Sequence, residues 1–155
     1  MKKIRHLLLA FLLSGGAMLF AAPTQAADDV EIVSSSFGLF YDLDSDNPAF
    51  VPTNLVPLTP KQSYGWIIQV STDKPQIKWR EEFTLPAKPE TWGIDDSTSR
   101  TSADGLTTTT ERTVAAEDGI LYNVWDVAPG DPKGHYVMRV FVDDKLAATF
   151  EFDVQ

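Results

Sequence analysis

The stretch that most constrains this chain is its last, GHYVMRVFVDDKLAATFEFDVQ, from Gly134 to Gln155. Apolar side chains fall on every second residue. Tyr136, Met138, Val140 and Val142 precede an acidic turn, and Leu146, Ala148, Phe150, Phe152 and Val154 follow it. Period two belongs to strands, because successive side chains point to opposite faces. With a three-residue loop at Asp143-Asp144-Lys145, Val142 would face Leu146, Val140 would face Ala148, Met138 would face Phe150, and Tyr136 would face Phe152. A slip of one residue would set Thr149 and Glu151 against the core, and the pattern forbids it. The opposite face, with Arg139, Thr149, Glu151 and Asp153, is predicted to meet water.

The rest of the chain repeats this theme. Ten prolines and nine glycines punctuate short runs rich in Val, Ile, Thr and aromatics, and almost nothing shows a helical period. Val30–Tyr41 predicts two short strands broken near Ser35. Ser63–Ser71 puts Trp66, Ile68 and Val70 on one face. Gln76–Leu85 puts Ile77, Trp79, Phe83 and Leu85 on one face. Glu81 interrupts that face, which predicts a bulge or an edge position there. Leu106–Ala115 is β-branched but polar on both sides, the pattern of an edge strand, and Ile120–Val127 is a further strand. About seven strands with one-faced hairpins predict an all-β chain, an antiparallel immunoglobulin-like β-sandwich, with a small β-barrel as the alternative. Asp42–Thr59 and Pro86–Asp104 are long, polar and proline-rich. Loops of that length are often functional, so a binding surface is expected on them.

The N-terminus sets the compartment. Lys2, Lys3 and Arg5 precede an apolar run, Leu7 to Phe20, and then Pro23 and small residues ending at Ala26. This is the layout of a secretory signal peptide over residues 1–26, with a single β-sandwich domain over 27–155. The run is shorter than the ~20 residues that span a bilayer. Export to the periplasm or the extracellular space is expected, without membrane insertion after cleavage. Beyond residue 26 there are ten basic and 22 acidic residues, a net charge of −12. So acidic a surface repels nucleic acid. The chain has no cysteine. Thiolate catalysis, cysteine zinc sites and disulfides are excluded, and the core must hold by burial alone.

Few residues suggest chemistry. Asp42, Asp44 and Asp46 alternate, as oxygen ligands of calcium can. Asn47 and Thr53, however, occupy the places where an EF-hand loop needs Gly and Glu. An acidic, solvated turn is the preferred reading, and calcium the alternative to having no cofactor. His135 stands alone beyond residue 26 and is expected as an exposed turn residue. Glu81 and Glu82 are neighbours on a strand, so they point to opposite faces and cannot share a substrate. They and Asp95-Asp96 are expected as surface charge. Trp66, Trp79 and Trp125 sit in strand patterns and are expected in the core. Trp92 lies in the long loop. There it either plugs the end of the sandwich, the simpler reading, or joins Asp95 and Asp96 in holding a sugar or a partner's apolar group.

Three landmarks stand together: Phe37-Gly38-Leu39-Phe40-Tyr41, Trp125-Asp126-Val127-Ala128-Pro129-Gly130-Asp131 and Phe150-Glu151-Phe152-Asp153-Val154. In this order the chain resembles an exported bacterial family known as a domain of unknown function, a short β-sandwich closed by a hairpin ending in Phe-x-Val. The resemblance covers most of Val30 to Val154. It departs where Pro132, Lys133 and Gly134 intervene before Tyr136, a longer turn than the family's. It implies fold and compartment and carries over no catalytic residue. The expected function is an exported, non-enzymatic module that binds a protein or glycan partner in the envelope. The alternative is a small carbohydrate-active or calcium-dependent enzyme, with Asp42, Asp44 and Asp46, or Glu81 and Asp126, converging in a pocket.

Overall fold

A computed structural model describes residues 30–93, 97–116 and 118–155. Residues 1–26, expected as a signal peptide, and Asp95 and Asp96 lie outside the described residues. Ten strands follow in order: β1 Glu31–Tyr41, β2 Ala49–Pro52, β3 Leu55–Val56, β4 Ser63–Ser71, β5 Gln76–Thr84, β6 Ser99–Thr101, β7 Thr107–Ala115, β8 Ile120–Asp126, β9 Gly134–Val142 and β10 Lys145–Val154. They form two sheets, β2-β1-β4-β8 and β3-β10-β9-β5-β7-β6, packed as a sandwich and not closed into a barrel. Among the described residues no helix is long and apolar enough to cross a membrane.

The core is aromatic and lies between the sheets. Phe37 stacks on Phe152 with ring centroids 4.1 Å apart, and Trp66 meets Trp79 edge-on at 5.2 Å. Trp66, Ile68, Ile77, Met138 and Val140 are fully buried. Each large apolar side chain removed from water contributes about 1.5–3 kcal/mol, which is how the sandwich holds without disulfides. The Tyr136 hydroxyl donates to Pro132 O at 2.6 Å. A tyrosine at a strand start bonded to backbone a few residues upstream matches the tyrosine corner of immunoglobulin domains. Pro132, whose carbonyl accepts that bond, and Lys133 and Gly134, which lead on to β9, build that corner.

Several expectations need correction. β1 is one strand, with a register shift between Ile32 and Ser34 in place of a break at Ser35. β5 is neither bulged nor at an edge. It runs in unbroken register between β7 and β9, and Glu81 is fully buried at its centre. Glu81 is therefore no surface charge. The Thr-rich β7 is not an edge along its first half, because β6 pairs with Thr108, Thr109 and Thr110. Its threonines earn their place through hydroxyl ladders, Thr84–Thr107 at 3.0 Å and Ser99–Thr110 at 2.9 Å. The two segments expected as loops contain β2, β3 and β6. The closing hairpin keeps the predicted pairs Val140–Ala148, Met138–Phe150 and Tyr136–Phe152, but its loop is two residues. Asp143 and Asp144 both have positive φ (46° and 64°), the requirement of a type I′ turn. A bulge between Leu146 and Ala148 then restores the predicted register, and Leu146 is left exposed.

Candidate binding cleft between the sheets

β8 is the edge of the four-stranded sheet and lies over β5. The contact is made by Glu81. Trp125 Nε1–H donates to Glu81 Oε1 at 2.8 Å, Asn123 Nδ2–H donates to both oxygens at 3.2 Å, and Trp66 Nε1–H donates to Oε2. One carboxylate from the six-stranded sheet thus takes donors from two strands of the other sheet. All three partners only donate here, which suits an acceptor-only carboxylate. Burial pushes the Glu81 carboxyl above its ordinary value. The Trp66, Trp125 and Asn123 bonds, and then the Arg112 charge, pull against that rise. Phe83 packs on Trp125 at 5.2 Å just beyond.

Because β8 covers β5, the next strands, β7 and β6, run past the edge of the four-stranded sheet. The space left between them is a cleft of about 440 Å³. Asn123 and Trp125 form one wall, Ser99, Thr110 and Arg112 the other, and Trp92 closes one end. Trp92 Nε1–H donates to Gly105 O at 3.0 Å, and its ring meets Phe83 at 5.7 Å and Trp125 at 6.2 Å. Half-buried, Trp92 seals the core and borders the cleft. Arg112 is exposed and sits 6.0 Å from the Trp79 ring centroid.

The other residues singled out by sequence lie apart. Asp42, Asp44 and Asp46 are exposed on the turn after β1, where Ser45 N–H donates to Asp42 O at 2.9 Å and Asn47 N–H donates to Ser45 Oγ at 3.1 Å. Asp42 and Asp44 border an open hollow with Ser63 and Asp126, and Ser63 Oγ donates to Asp126 Oδ1 at 2.5 Å. Among the described residues no group of three or more His, Asp or Glu gathers as a metal site. His135 is exposed, 3.2 Å from Asp153 and 3.4 Å from Glu151. Glu81 and Asp126 do not converge: Glu81 is sealed in the core, while Asp126 is exposed beside Ser63. Glu82, as expected, points away from Glu81 and binds Arg80 and Arg139 on the outer face.

Sequence reasoning missed Asn123, Thr110, Ser99 and Arg112 as a wall set. A signal existed. Glu81 and Asn123 each stand at a core position of an alternating strand, Glu81 between Trp79 and Phe83 and Asn123 between Leu121 and Trp125. Two polar groups in the inward phase of different strands are each other's natural partners.

A family model described as the PM0630 beta sandwich domain matches residues 35–155. Among solved structures, an immunoglobulin-like protein from Pseudomonas aeruginosa superposes with a TM-score of 0.56 at 20% identity, covering 84% of this chain and 99% of that one. Pseudomonas fluorescens alkylpurine DNA glycosylase AlkC, bound to DNA containing an abasic site analog, aligns with a TM-score of 0.37 at 9% identity, covering 81% of this chain and 30% of that one. The PmoD soluble domain from Methylocystis sp. gives 0.36 at 17% identity, covering 83% and 93%. Neither of these last two likenesses is close enough to carry an argument. No curated protein matches the sequence. The match over residues 35–155 and the immunoglobulin-like neighbour agree with the two-sheet architecture, and the chain belongs to the PM0630 beta sandwich domain family.

Proposed function

We propose that this chain is an exported, non-enzymatic interaction module that binds a protein partner in the bacterial envelope, in the periplasm or outside the cell, through the cleft between β8 and the β6–β7 edge. The observation that carries the reading is the cleft's construction. Rigid strands hold its walls, two tryptophans and a threonine–serine ladder line it, and the Glu81 network fixes the wall formed by β8. Binding surfaces favour such anchored aromatics beside polar groups. The charged head, apolar run and Ala26 exit of the leader support export. Against catalysis stands the use of Glu81, whose oxygens are occupied by donors and shut off from solvent. The module works without a cofactor, and its acidity keeps it from nucleic acid.

The test is a pair of proteins captured on envelope extract: the native chain and Ser99→Tyr, which fills the cleft from β6. A partner retained by the first and lost by the second supports the reading. Equal retention by both overturns it. Calorimetry with Ca²⁺ is expected to give no heat, and a heat lost on Asp44→Asn would restore the calcium alternative.

A further inference from the structure

The geometry points to strand addition: β8 takes an extended segment of the partner as a new edge strand, with an acidic side chain of that segment set against Arg112. This rests on the reading of the cleft above and goes further, because it names the kind of ligand and how it is held.

The first support is the edge itself. Four strands end the two sheets; β3 pairs only with Asp153 and Val154 of β10, and β6 only with Thr108, Thr109 and Thr110 of β7, so those two neighbours also have an open edge along part of their length. β2 has four residues and closes on Pro52, β3 has two and runs into Pro57, and β6 has three. Shortness and proline are the usual protections of a sheet edge. β8 has seven residues, ILYNVWD, with no proline, no lysine and no break in its register with β4. Its outward main chain can be assigned. Val127 N–H donates to Gln62 O at 3.0 Å, and Gly119 O accepts from Val70 N–H at 2.8 Å. Odd-numbered residues therefore turn their main-chain groups to β4, and Ile120, Tyr122, Val124 and Asp126 turn theirs outward. Ile120 is 51% and Tyr122 61% exposed. Among the described residues outside β4, none takes a main-chain hydrogen bond from these four.

The second support is the room beside the edge. β7 and β6 run past β8, so a strand added there lies over Thr110 and Ser99 and sends alternate side chains into the cleft. The same overhang argues against a second copy of this chain. Pairing β8 with β8 would bring the copy's own six-stranded sheet against β6. A single extended segment fits where a second sandwich collides.

The third support is charge. Beyond residue 26 the chain has four arginines, Arg80, Arg100, Arg112 and Arg139, and all lie on the six-stranded sheet. Arg112 is a wall of the cleft and also of a neighbouring hollow bounded by Arg100, Lys78 and Glu111, of which Lys78 and Glu111 pair with each other at 3.2 Å. An incoming carboxylate there gains a charge-assisted bond, and Asp126 at the other end of β8 disfavours a second one.

The experiment selects random octapeptides displayed on phage against the purified chain. Enriched peptides are expected to alternate apolar and polar residues with one Asp or Glu. Their binding is expected to fall about tenfold or more in Val124→Pro, which removes an outward N–H without touching a bond to β4. Arg112→Gln is expected to erase the preference for the acidic residue. Circular dichroism and thermal unfolding establish that both variants fold. Peptides that bind Val124→Pro as well as the native chain but fail on Ser99→Tyr overturn strand addition and leave the cleft reading intact. No enrichment, or binding indifferent to all three substitutions, overturns both.

Discussion

The two sheets of this sandwich are stabilised in different ways. The outer face of the six-stranded sheet is charged and held by side chains. Arg80 and Arg139 both bind Glu82, Lys78 binds Glu111 at 3.2 Å, and the Arg80 guanidinium lies 3.8 Å above the Phe141 ring. The strands of the four-stranded sheet carry no lysine or arginine at all. Their outer face mixes an apolar contact, Phe40 against Phe50 at 5.0 Å, with neutral and acidic side chains such as Gln69 and Asp126, and their main chains press together. Gly38 and Gly65 face each other across β1 and β4. A Cβ at Gly65 would stand 2.0 Å from Asn123 O, and one at Gly38 would stand 2.2 Å from Val51 O. The six-stranded sheet is thus locked by ion pairs on its outer face, while the four-stranded one, whose strands carry only Glu31 and Asp126 as charged residues, relies on close main-chain contact.

Glu81 is where the two sheets depend on each other, so its loss is the strongest way to break the comparison. Glu81→Ala leaves the Trp66 and Trp125 indoles and the Asn123 amide without their acceptor. A cost of about 4 kcal/mol is expected in urea unfolding, the upper range for one residue. Wider amide exchange in β8 than in β9 is expected too, since β8 is held to the core through this network. Equal exchange in both would show that the sheets do not rely on it.

Backbone contact is tested next. Gly65→Ala forces β8 away from β4 and is expected to cost about 2–3 kcal/mol. Gly38→Ala meets β2, a four-residue edge strand that can yield, and is expected to cost about 1 kcal/mol less. Reversed order in chemical unfolding would mean that β2, not β8, is the rigid neighbour. The motif Phe37-Gly38-Leu39-Phe40 thus has a physical reason: the glycine lets β2 approach while Phe37 enters the core.

These positions also separate what was legible in the chain from what was not. Alternation alone located β4, β5, β8 and the closing hairpin, because burial of one face leaves a period-two record. It misjudged Glu81, since a rule that sorts by hydrophobicity reads a core carboxylate as an interruption. Only the inward phase of Asn123 on a distant strand could have reversed that reading. β6, with Ser99-Arg100-Thr101, left no apolar trace, because it pairs through hydroxyls and main chain. The hairpin loop was read one residue too long because the bulge after Leu146 keeps the downstream register the same for either loop. For the same reason the cleft was invisible: its walls come from β6, β7 and β8, which meet only through the fold.

Protonation offers a subtler probe of the joint. Burial raises Glu81 above the ordinary carboxyl range, so the native state takes up its proton before the unfolded chain does. The contribution of such a group is full below the unfolded value and is lost as pH rises through the folded one. Stability of the native chain relative to Glu81→Gln is therefore expected to increase as pH falls through the raised Glu81 value toward the ordinary carboxyl range. Asp131, also raised by burial, moves the same way, while Asp104, lowered by its bonds to Ser102 and Leu106, moves oppositely. Both are common to the two proteins and cancel in the difference. A flat difference would mean that the indole and amide donors offset burial.

The smallest expected effect lies at the hairpin turn of the charged sheet. Asp143 and Asp144 share a left-handed conformation but not a role. Asp143 binds Lys74 Nζ at 2.7 Å and accepts from Lys78 N–H at 3.3 Å, tying the turn to the segment that leads into β5. Asp144 has φ of 64° and no such contact among the described residues. Asp144→Gly removes the steric cost of that conformation and is expected to raise stability by up to about 1 kcal/mol. Asp143→Gly gains the same backbone relief but loses two partners, and is expected to be neutral or slightly destabilising. Thermal unfolding of the two variants separates backbone from side chain at one turn. If Asp143→Gly stabilised as much as Asp144→Gly, its ion pair would contribute nothing, and the ladders on the charged face would owe their order to the strands beneath them.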